Sequence, residues 1–291
     1  MRTLAAALEL DFTEPSITAA KAVADTIAGQ GLLKRDTLLR VMEQAYGCSS
    51  ADGRWSLRDV YDMLELAQVM HFASADLPAD PGSCLAALIA LDGNLPTHTV
   101  RSEEQIELQQ FSTPAPIAYL AALAARIAPT DLVLEPSAGT GLLAAFASRA
   151  GAHLVLNEID PARAEMLGAA FPGVAVTRHD AELIHDLLAP SIRPTAVLIN
   201  PPFSRSIGRH ADPLAAFRHL RAALKRLGAG GRCAAILPTR VDTSSRAWAK
   251  ATDGCTLTLH LELPANAYAK HGTSQPVKVM VLEKGTGTPA N

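Results

Sequence analysis

Four consecutive residues near the middle of the chain, Asn200-Pro201-Pro202-Phe203, could together orient an amino group. They follow the apolar run 197–199, which is typical of a buried strand. Two prolines at such a strand end give up two backbone donors and fix the chain direction. The Asn200 amide oxygen and the Pro201 carbonyl could accept both N–H groups of one amine, which would free its lone pair to attack an electrophile. Phe203 could then stack on a flat base; the alternative is a proline-terminated strand with a core phenylalanine.

A glycine turn lies upstream, where the apolar run 132–134 leads into Glu135 and then Gly139 and Gly141. The two glycines permit positive φ and allow close approach of the backbone to a ligand. The turn lacks the GxGxxG spacing of dinucleotide sites. A pyrophosphate would be repelled by the carboxylate that precedes the first glycine, whereas a cationic amino-acid ligand would be favoured there.

Two further carboxylates follow predicted strands. Glu158 comes about 20 residues after the glycines, where a carboxylate can accept both hydroxyls of a ribose; the alternative is a solvated loop residue. Glu158 is preferred to Asp160 for this role, because Asp160-Pro161 is typical of the start of the next helix. Asp180 could accept a hydrogen bond from an adenine amino group or cap a helix, and one residue can do both.

Because ligands of open α/β sheets sit at the carboxyl ends of strands, these motifs require strands that end together. From about residue 111, short branched apolar runs alternate with alanine- and leucine-rich stretches, as in βαβ units. The connection between the last two runs is too short and too rich in turn formers for a crossover helix. We therefore predict a Rossmann-like α/β sheet, mostly parallel with an antiparallel edge hairpin, from strands at 131–135, 153–158, 174–178, 195–200, 232–237, 256–263 and 277–283.

The first 92 residues have a helical pattern and no catalytic constellation. We predict one helix from near Ser16 to Gly29, a second capped by Asp36 and a third capped by Ser56. This region could be a scaffold or lid, or it could bind a partner or nucleic acid. The predicted division is a helical N-terminal domain 1–92, a linker 93–110, a catalytic domain 111–284 and a flexible tail 285–291.

Composition and charge narrow the classes of function. Residues 1–110 carry 8 Lys/Arg and 16 Asp/Glu, whereas the remainder carries 18 Lys/Arg and 13 Asp/Glu. This asymmetry would allow a polyanion to bind the second part of the chain. The four cysteines are scattered without metal-ligand spacing, which favours reduced thiols in the cytoplasm and no metal site. Neither a signal-peptide core nor an apolar run long enough to cross a bilayer is evident.

Residues 109–284 resemble a class I S-adenosylmethionine (SAM)-dependent methyltransferase of the branch that methylates amino groups. The stretch 135–141 is similar to the SAM-binding loop, and 200–203 is similar to the catalytic Asn/Asp-Pro-Pro-aromatic tetrad. Gln110-Phe111-Ser112-Thr113-Pro114 matches the motif that precedes the first strand in adenine methyltransferases, and this order is that of γ-type N6-adenine enzymes. The stretch 263–273 resembles the edge hairpin of type I modification subunits. The overall resemblance is to the methylase module of strawberry-notch-type helicase proteins of phages and plasmids.

The resemblance implies SAM as cofactor and N6 of adenine in DNA as the methyl acceptor, with direct in-line transfer. Thr113 and Glu135 would hold the methionine moiety, Glu158 the ribose and Asp180 the adenine of SAM. Asn200 and Pro201 would orient the target amine beside Pro202, with Phe203 stacked on the base. The implied cofactor set comprises Phe111, Thr113, Pro114, Glu135, Pro136, Ser137, Gly139, Gly141, Glu158, Ile159, Asp180 and Ala181.

Substrate contacts are predicted in the stretch after the tetrad, because residues 204–232 are strongly basic. Arg205 and Arg209 fall in a predicted loop beside the catalytic face, where phosphate contacts would be independent of base sequence and weakened by salt. The later cations, from Arg218 to Arg226, fit the solvated side of a helix. Tyr268 is assigned as a further substrate contact.

Two departures from the resembled families leave the substrate open. We expect no target-recognition domain of the kind that follows the catalytic core in γ-type restriction enzymes, and residues 1–291 show no helicase motif. Asn-Pro-Pro-aromatic tetrads also serve methylation of RNA bases and of protein glutamine, whose side-chain amide presents the same two N–H groups. A further alternative is a non-catalytic SAM-binding module of a larger anti-restriction or helicase assembly. The expected partners are therefore nucleic acid and a helicase or a phage or plasmid defence protein.

Overall fold

The computed structural model describes residues 14–29, 31–97, 112–203, 212–271 and 275–286. Its N-terminal part is helical, as predicted, and Ser56 caps the third helix in a capping box with Asp59. The prediction that Asp36 caps the second helix is wrong, because the extended residue Lys34 precedes the first helical turn and Asp36 lies inside that turn. The helices are α1 (Pro15–Ala28), α2 (Arg35–Tyr46), α3 (Leu57–Ser74) and α4 (Pro81–Asn94).

The predicted sheet is confirmed. Its strands lie in the order β3-β2-β1-β4-β5-β7-β6, and all neighbours are parallel except the pairs that include β7. The order reverses between β1 and β4, so a crevice opens at their carboxyl ends. The strands are β1 (Leu132–Glu135), β2 (His153–Asn157), β3 (Val176–Thr177), β4 (Ala196–Ile199), β5 (Arg232–Pro238), β6 (Cys255–Glu262) and β7 (Val277–Lys284).

Helices cover both faces of the sheet because successive strand residues point in opposite directions. Leu198 packs in one core, whereas its neighbours Val197 and Ile199 pack in the other. The first core lies against α5 (Ala115–Ala124) and α6 (Leu142–Arg149), and the second lies against α9 (Ala215–Arg226). The helices of this part are α5 (Ala115–Ala124), α6 (Leu142–Arg149), α7 (Pro161–Ala170), α8 (Ile184–Leu187), α9 (Ala215–Arg226) and α10 (Arg246–Ala251).

Helix α3 connects the N-terminal helices to the sheet. It is buried on nearly all sides and packs against α6 and α7, with the Phe72 and Phe146 ring centroids 5.2 Å apart. Helix α4 ends at Asn94, and residues 98–110 of the predicted linker and 287–291 of the predicted tail lie outside the described residues. Among the described helices, none has both the length and the apolar character needed to cross a bilayer.

Candidate active site

A cavity lies at the carboxyl ends of the central strands and is called the strand-end cavity below. It encloses about 980 Å3 of empty space, a figure that includes space open to solvent. Residues that follow β1, β2, β3 and β4 all line it, as the parallel topology requires. The predicted site residues among them are Thr113, Glu135, Pro136, Ser137, Gly139, Glu158, Ile159, Asp180, Ala181, Asn200 and Pro202.

Asn157, the last residue of β2, holds three of these strand ends together. Its Nδ2 donates to the carbonyls of Pro136 and His179 at 2.8 and 2.9 Å. Its Oδ1 accepts from the Thr177 hydroxyl and from the His179 backbone N–H, both at 2.8 Å. All four hydrogen bonds of a fully buried amide are therefore made, which fixes the loops on either side of it.

The two glycines of the turn after β1 have different roles. Gly139 has a φ of +57°, and a side chain added there would meet no atom within 4 Å, so this position keeps the cavity wall open. Gly141 has a φ of +102°, and an added Cβ would lie 2.7 Å from Phe171 and 2.8 Å from Leu167. Gly141 thus permits close packing between the turn and α7, and it does not line the cavity.

Glu135 is a buried acid that lacks a complete set of partners. Its side chain is enclosed, with a relative exposure of 2%, and burial raises its pKa well above the ordinary value. Its Oε2 atom is buried and has no hydrogen-bond partner among the described residues. Such an atom is costly unless a ligand satisfies it, and a cationic ligand would also offset the cost of ionising it.

Glu158 faces the same cavity from the end of β2. Its Oε2 accepts from the Gly139 N–H at 2.8 Å, and its Oε1 accepts from the Asp160 N–H at 2.9 Å. Burial raises the pKa of this carboxyl, while the charge of Arg163 opposes the rise. One backbone bond per oxygen leaves further lone pairs that can accept from a ligand.

Asp180 and Asp160 act as helix caps. Asp160 accepts from the N–H groups of Ala162 and Arg163, which confirms the prediction that it begins the helix after β2. Asp180 accepts from the Glu182 N–H at 2.9 Å with Oδ1 and also lines the cavity. Asp180 therefore both caps a helix and lines the cavity. Its contact with a cofactor adenine stays a prediction.

Asn200 lines the strand-end cavity from the end of β4, the strand next to β1, which leads into the glycine turn. Its Nδ2 donates to Thr113 Oγ1 at 2.9 Å and to the Tyr268 hydroxyl at 3.3 Å. Its Oδ1 is buried and accepts no hydrogen bond from the described residues. The amide is thus held through its donors, while its acceptor is left for another molecule.

Several predicted residues lie beside the cavity without lining it. Pro114, Pro201 and Tyr268 belong to this group, as does Phe203, which is 4% exposed and packs in the hydrophobic core. Base stacking by Phe203 and substrate contact by Tyr268 stay predictions. Phe111, Arg205 and Arg209 lie outside the described residues.

The structure adds charged residues that the sequence did not single out. Glu65 of α3 lines the cavity and accepts from the Thr140 hydroxyl at 2.9 Å. Arg163 of α7 also lines it and donates to Asp62 through Nη2 at 2.6 Å, and both of these side chains are buried. Burial raises the pKa of Glu65, and the neighbouring Arg163 opposes that rise. No local signal in residues 1–92 indicates that α3 would reach the strand ends.

The basic helix α9 differs from its predicted solvated role at two positions. Arg218 pairs with Glu182 and Asp212. Arg226 is buried and donates to the carbonyls of Leu188 and Ala189. Both guanidinium groups therefore have partners within the protein, because acidic side chains and carbonyl groups lie beside this face of the helix.

No protein-family model matches the chain, and no curated protein sequence matches it. TrmN from Thermus thermophilus matches 60% of this chain at 22% identity and a TM-score of 0.48, and this chain spans half the length of TrmN. A candidate RNA methyltransferase from Pyrococcus horikoshii matches 69% of this chain and 98% of its own at 20% identity and a TM-score of 0.51. The modification subunit of a candidate type I restriction enzyme from Vibrio vulnificus YJ016 matches 94% of this chain and 82% of its own at 14% identity and a TM-score of 0.52.

These likenesses concern the fold. The P. horikoshii and V. vulnificus structures superpose on this chain with TM-scores of 0.51 and 0.52. In this chain the seven-stranded sheet is parallel except where β7 pairs with β5 and β6. The predicted Rossmann-like methyltransferase fold is therefore confirmed. The V. vulnificus match extends over nearly the whole chain, so its aligned region includes the N-terminal helices as well as the sheet.

Proposed function

We propose that this protein transfers a methyl group from SAM to an exocyclic amino nitrogen, with N6 of adenine in DNA as the target. One observation carries the proposal: two buried acceptors, Glu135 Oε2 and Asn200 Oδ1, have no hydrogen-bond partner in the described part of the chain, and both residues line one cavity. A carboxylate oxygen suits the ammonium group of an amino-acid cofactor. A neutral amide oxygen suits an uncharged aromatic amine.

The residues of the strand-end cavity fit SAM. Glu135 would accept from the methionine ammonium, and the open position at Gly139 leaves space beside it. Glu158 keeps lone pairs for the ribose hydroxyls, and Asp180 keeps one oxygen beyond its capping bond for the adenine amino group. When bound, SAM supplies an electrophilic methyl group on a sulfonium centre.

Asn200 would do most of the orientation of the acceptor amine. Its Oδ1 would accept one N–H, and the Pro201 carbonyl would accept the other. The rigid proline corner keeps both acceptors in place, so little reorganisation is needed when the nitrogen lone pair leaves conjugation. Holding the two reacting groups in a near-attack arrangement is the main source of rate in such a site.

The choice of adenine in DNA rests on the order of the motifs in the chain, which resembles that of γ-type N6-adenine enzymes. A duplex adenine would have to leave the base stack to reach Asn200. Arg205 and Arg209 are proposed to contact the phosphate backbone. The fold shared with a modification subunit of V. vulnificus agrees with a nucleic-acid substrate and a multi-subunit assembly. We propose a helicase or a phage or plasmid defence protein as the partner.

The test is methyl transfer from labelled SAM into DNA, RNA and protein, followed by mass spectrometry of the modified nucleosides. The proposal predicts label in DNA and N6-methyladenine as the product. Asn200→Ala is the matched control, because it removes the amide and leaves Glu135 and Glu158 intact. Label in RNA or in protein glutamine would show that the substrate is not DNA. SAM binding without transfer to any of the three would favour a non-catalytic module.

A further inference from the structure

We propose that Tyr268 is a positioning residue that acts through Asn200. Together with Thr113, its hydroxyl holds the Asn200 side chain in place by accepting from Nδ2, and Oδ1 is left for the substrate amine. The inference rests on the proposed function and adds a residue that acts on the reaction from the connection between β6 and β7. It differs from the expectation that Tyr268 touches the substrate itself.

The hydrogen bonds around Asn200 support this role. An asparagine amide has one acceptor end and one donor end of nearly equal size, so its orientation depends on its neighbours. Thr113 Oγ1 and the Tyr268 hydroxyl accept the two Nδ2 protons at 2.9 and 3.3 Å. These two hydrogen bonds hold the amide in position, and Oδ1 is left without a hydrogen-bond partner among the described residues.

The environment of Tyr268 indicates an internal role. The side chain is only 1% exposed, belongs to the hydrophobic core and does not line the strand-end cavity. Burial raises the pKa of its hydroxyl, and its hydrogen bonds with Thr113 and Asn200 oppose the rise. A buried neutral hydroxyl with these two neighbours can orient an amide, whereas it offers no surface to a base.

The segment that carries Tyr268 is attached to the N-terminal helices. Lys270 Nζ donates to the carbonyls of Asp92 and Gly93 at 2.6 and 3.0 Å, at the last turn of α4. His271 Nε2 lies 2.9 Å from Asp92 Oδ1. A lysine at a helix C-terminus satisfies carbonyls that the helix leaves open. The end of α4 thus fixes the position of Tyr268, and Tyr268 in turn fixes Asn200.

The decisive variant is Tyr268→Phe, which keeps the ring and removes only the hydroxyl. We expect kcat to fall roughly ten- to a hundredfold with KM for SAM and for DNA nearly unchanged, because misplacing a reactive group by about 1 Å costs on the order of a hundredfold. Tyr61→Phe is the matched control, since Tyr61 is an equally buried tyrosine whose hydroxyl donates to Thr97 O in the N-terminal region. The control should keep the wild-type kcat.

A second readout is independent of turnover. The side-chain amide protons of Asn200, identified by their absence in Asn200→Ala, should exchange slowly in the wild type and faster in Tyr268→Phe. Thr113→Val should also speed the exchange, whereas Thr113→Ser should restore slow exchange because it keeps a hydroxyl acceptor.

The outcomes separate this inference from the proposed function. Unchanged kcat and unchanged exchange in Tyr268→Phe would overturn the positioning role even if the wild type methylates DNA. A raised KM for DNA at constant kcat would overturn it in favour of direct substrate contact. If the wild type transfers no methyl group, the proposed function fails, while faster amide exchange in Tyr268→Phe would still support the orienting role of its hydroxyl.

Discussion

The strand-end cavity has two walls that are stabilised in different ways. The sheet wall follows β1, β2 and β3 and is held by neutral hydrogen bonds, of which Asn157 makes four. The helix wall is formed by α3 and α7 and is held by charges. There Asp62 and Arg163 pair at 2.6 Å, and their side chains are 4% and 5% exposed.

The difference predicts how each wall responds to change. A buried charge that loses its partner is strongly destabilising, whereas a neutral hydrogen bond contributes little net free energy. The helix wall should therefore determine whether the N-terminal helices stay attached to the sheet. Glu135 Oε2 and Asn200 Oδ1, which no described residue satisfies, should affect ligand binding and reaction more than folding.

The largest expected effect comes from Arg163→Met. The substitution keeps most of the side-chain volume but removes the buried guanidinium 2.6 Å from Asp62, which then keeps its 3.6 Å ion pair with Arg58. The free energy of unfolding should therefore fall by about 3–5 kcal/mol. Urea denaturation measures it. Arg126→Met is the matched control, because Arg126 pairs with Glu283 at the surface, where loss of a pair costs about 0–1 kcal/mol. Equal losses in the two variants would contradict the distinction between buried and surface pairs.

Glu135→Gln tests the sheet wall. Loss of a charge-assisted bond to the SAM ammonium should weaken binding roughly ten- to a hundredfold in a calorimetric titration. The raised pKa of Glu135 also means that SAM binding should release a proton and tighten as pH rises towards that pKa. If Glu135→Gln bound SAM with the wild-type affinity, or if binding by both proteins depended on pH in the same way, Glu135 would not be a cofactor ligand.

Glu135→Gln should weaken SAM binding, yet it should make the folded protein more stable. In the folded protein Glu135 keeps its proton above the ordinary pKa, whereas in the unfolded chain it loses it. The folded state therefore binds more protons, and stability falls as pH rises from the ordinary pKa through the raised one. Glu135→Gln removes this penalty, so thermal unfolding at neutral pH should occur at a slightly higher temperature than in the wild type.

The smallest effect is expected for Glu65→Gln. Its carboxylate lines the cavity from α3, and its charge should favour a cationic cofactor. We expect SAM affinity to fall roughly three- to tenfold. Methylthioadenosine, which lacks the amino acid and the charge, should bind both proteins equally. An equal loss for both ligands would show a structural effect of the substitution, and no loss for either would show that α3 does not contribute to cofactor binding.

The two walls also differ in how far the sequence could predict them. Glu135, Glu158, Asp180 and Asn200 each follow a strand, so the parallel topology alone brings them to one edge. Glu65 and Asp62 lie in helix α3, which is distant in sequence from the strands. Their position depends on the packing of α3 against α6 and α7, which no local pattern encodes.

Side-chain direction was the other unpredictable feature. Tyr268 follows β6 in a stretch rich in turn formers, and its hydroxyl meets Asn200 only because β7 returns the chain beside β5. Gly141 was expected to leave space for a ligand, yet its missing side chain faces Phe171 and Leu167. Both outcomes depend on long-range packing rather than on residue type and spacing.

The central claim is that Asn200 orients an amine beside a cofactor bound in the same cavity. Its most direct test is single-turnover methyl transfer from labelled SAM into an adenine-containing oligonucleotide, with SAM affinity measured on the same samples of wild type and Asn200→Ala. The account predicts similar SAM affinity in both proteins and a loss of transfer rate on the order of a hundred- to a thousandfold in the variant. Transfer by Asn200→Ala at the wild-type rate would contradict it.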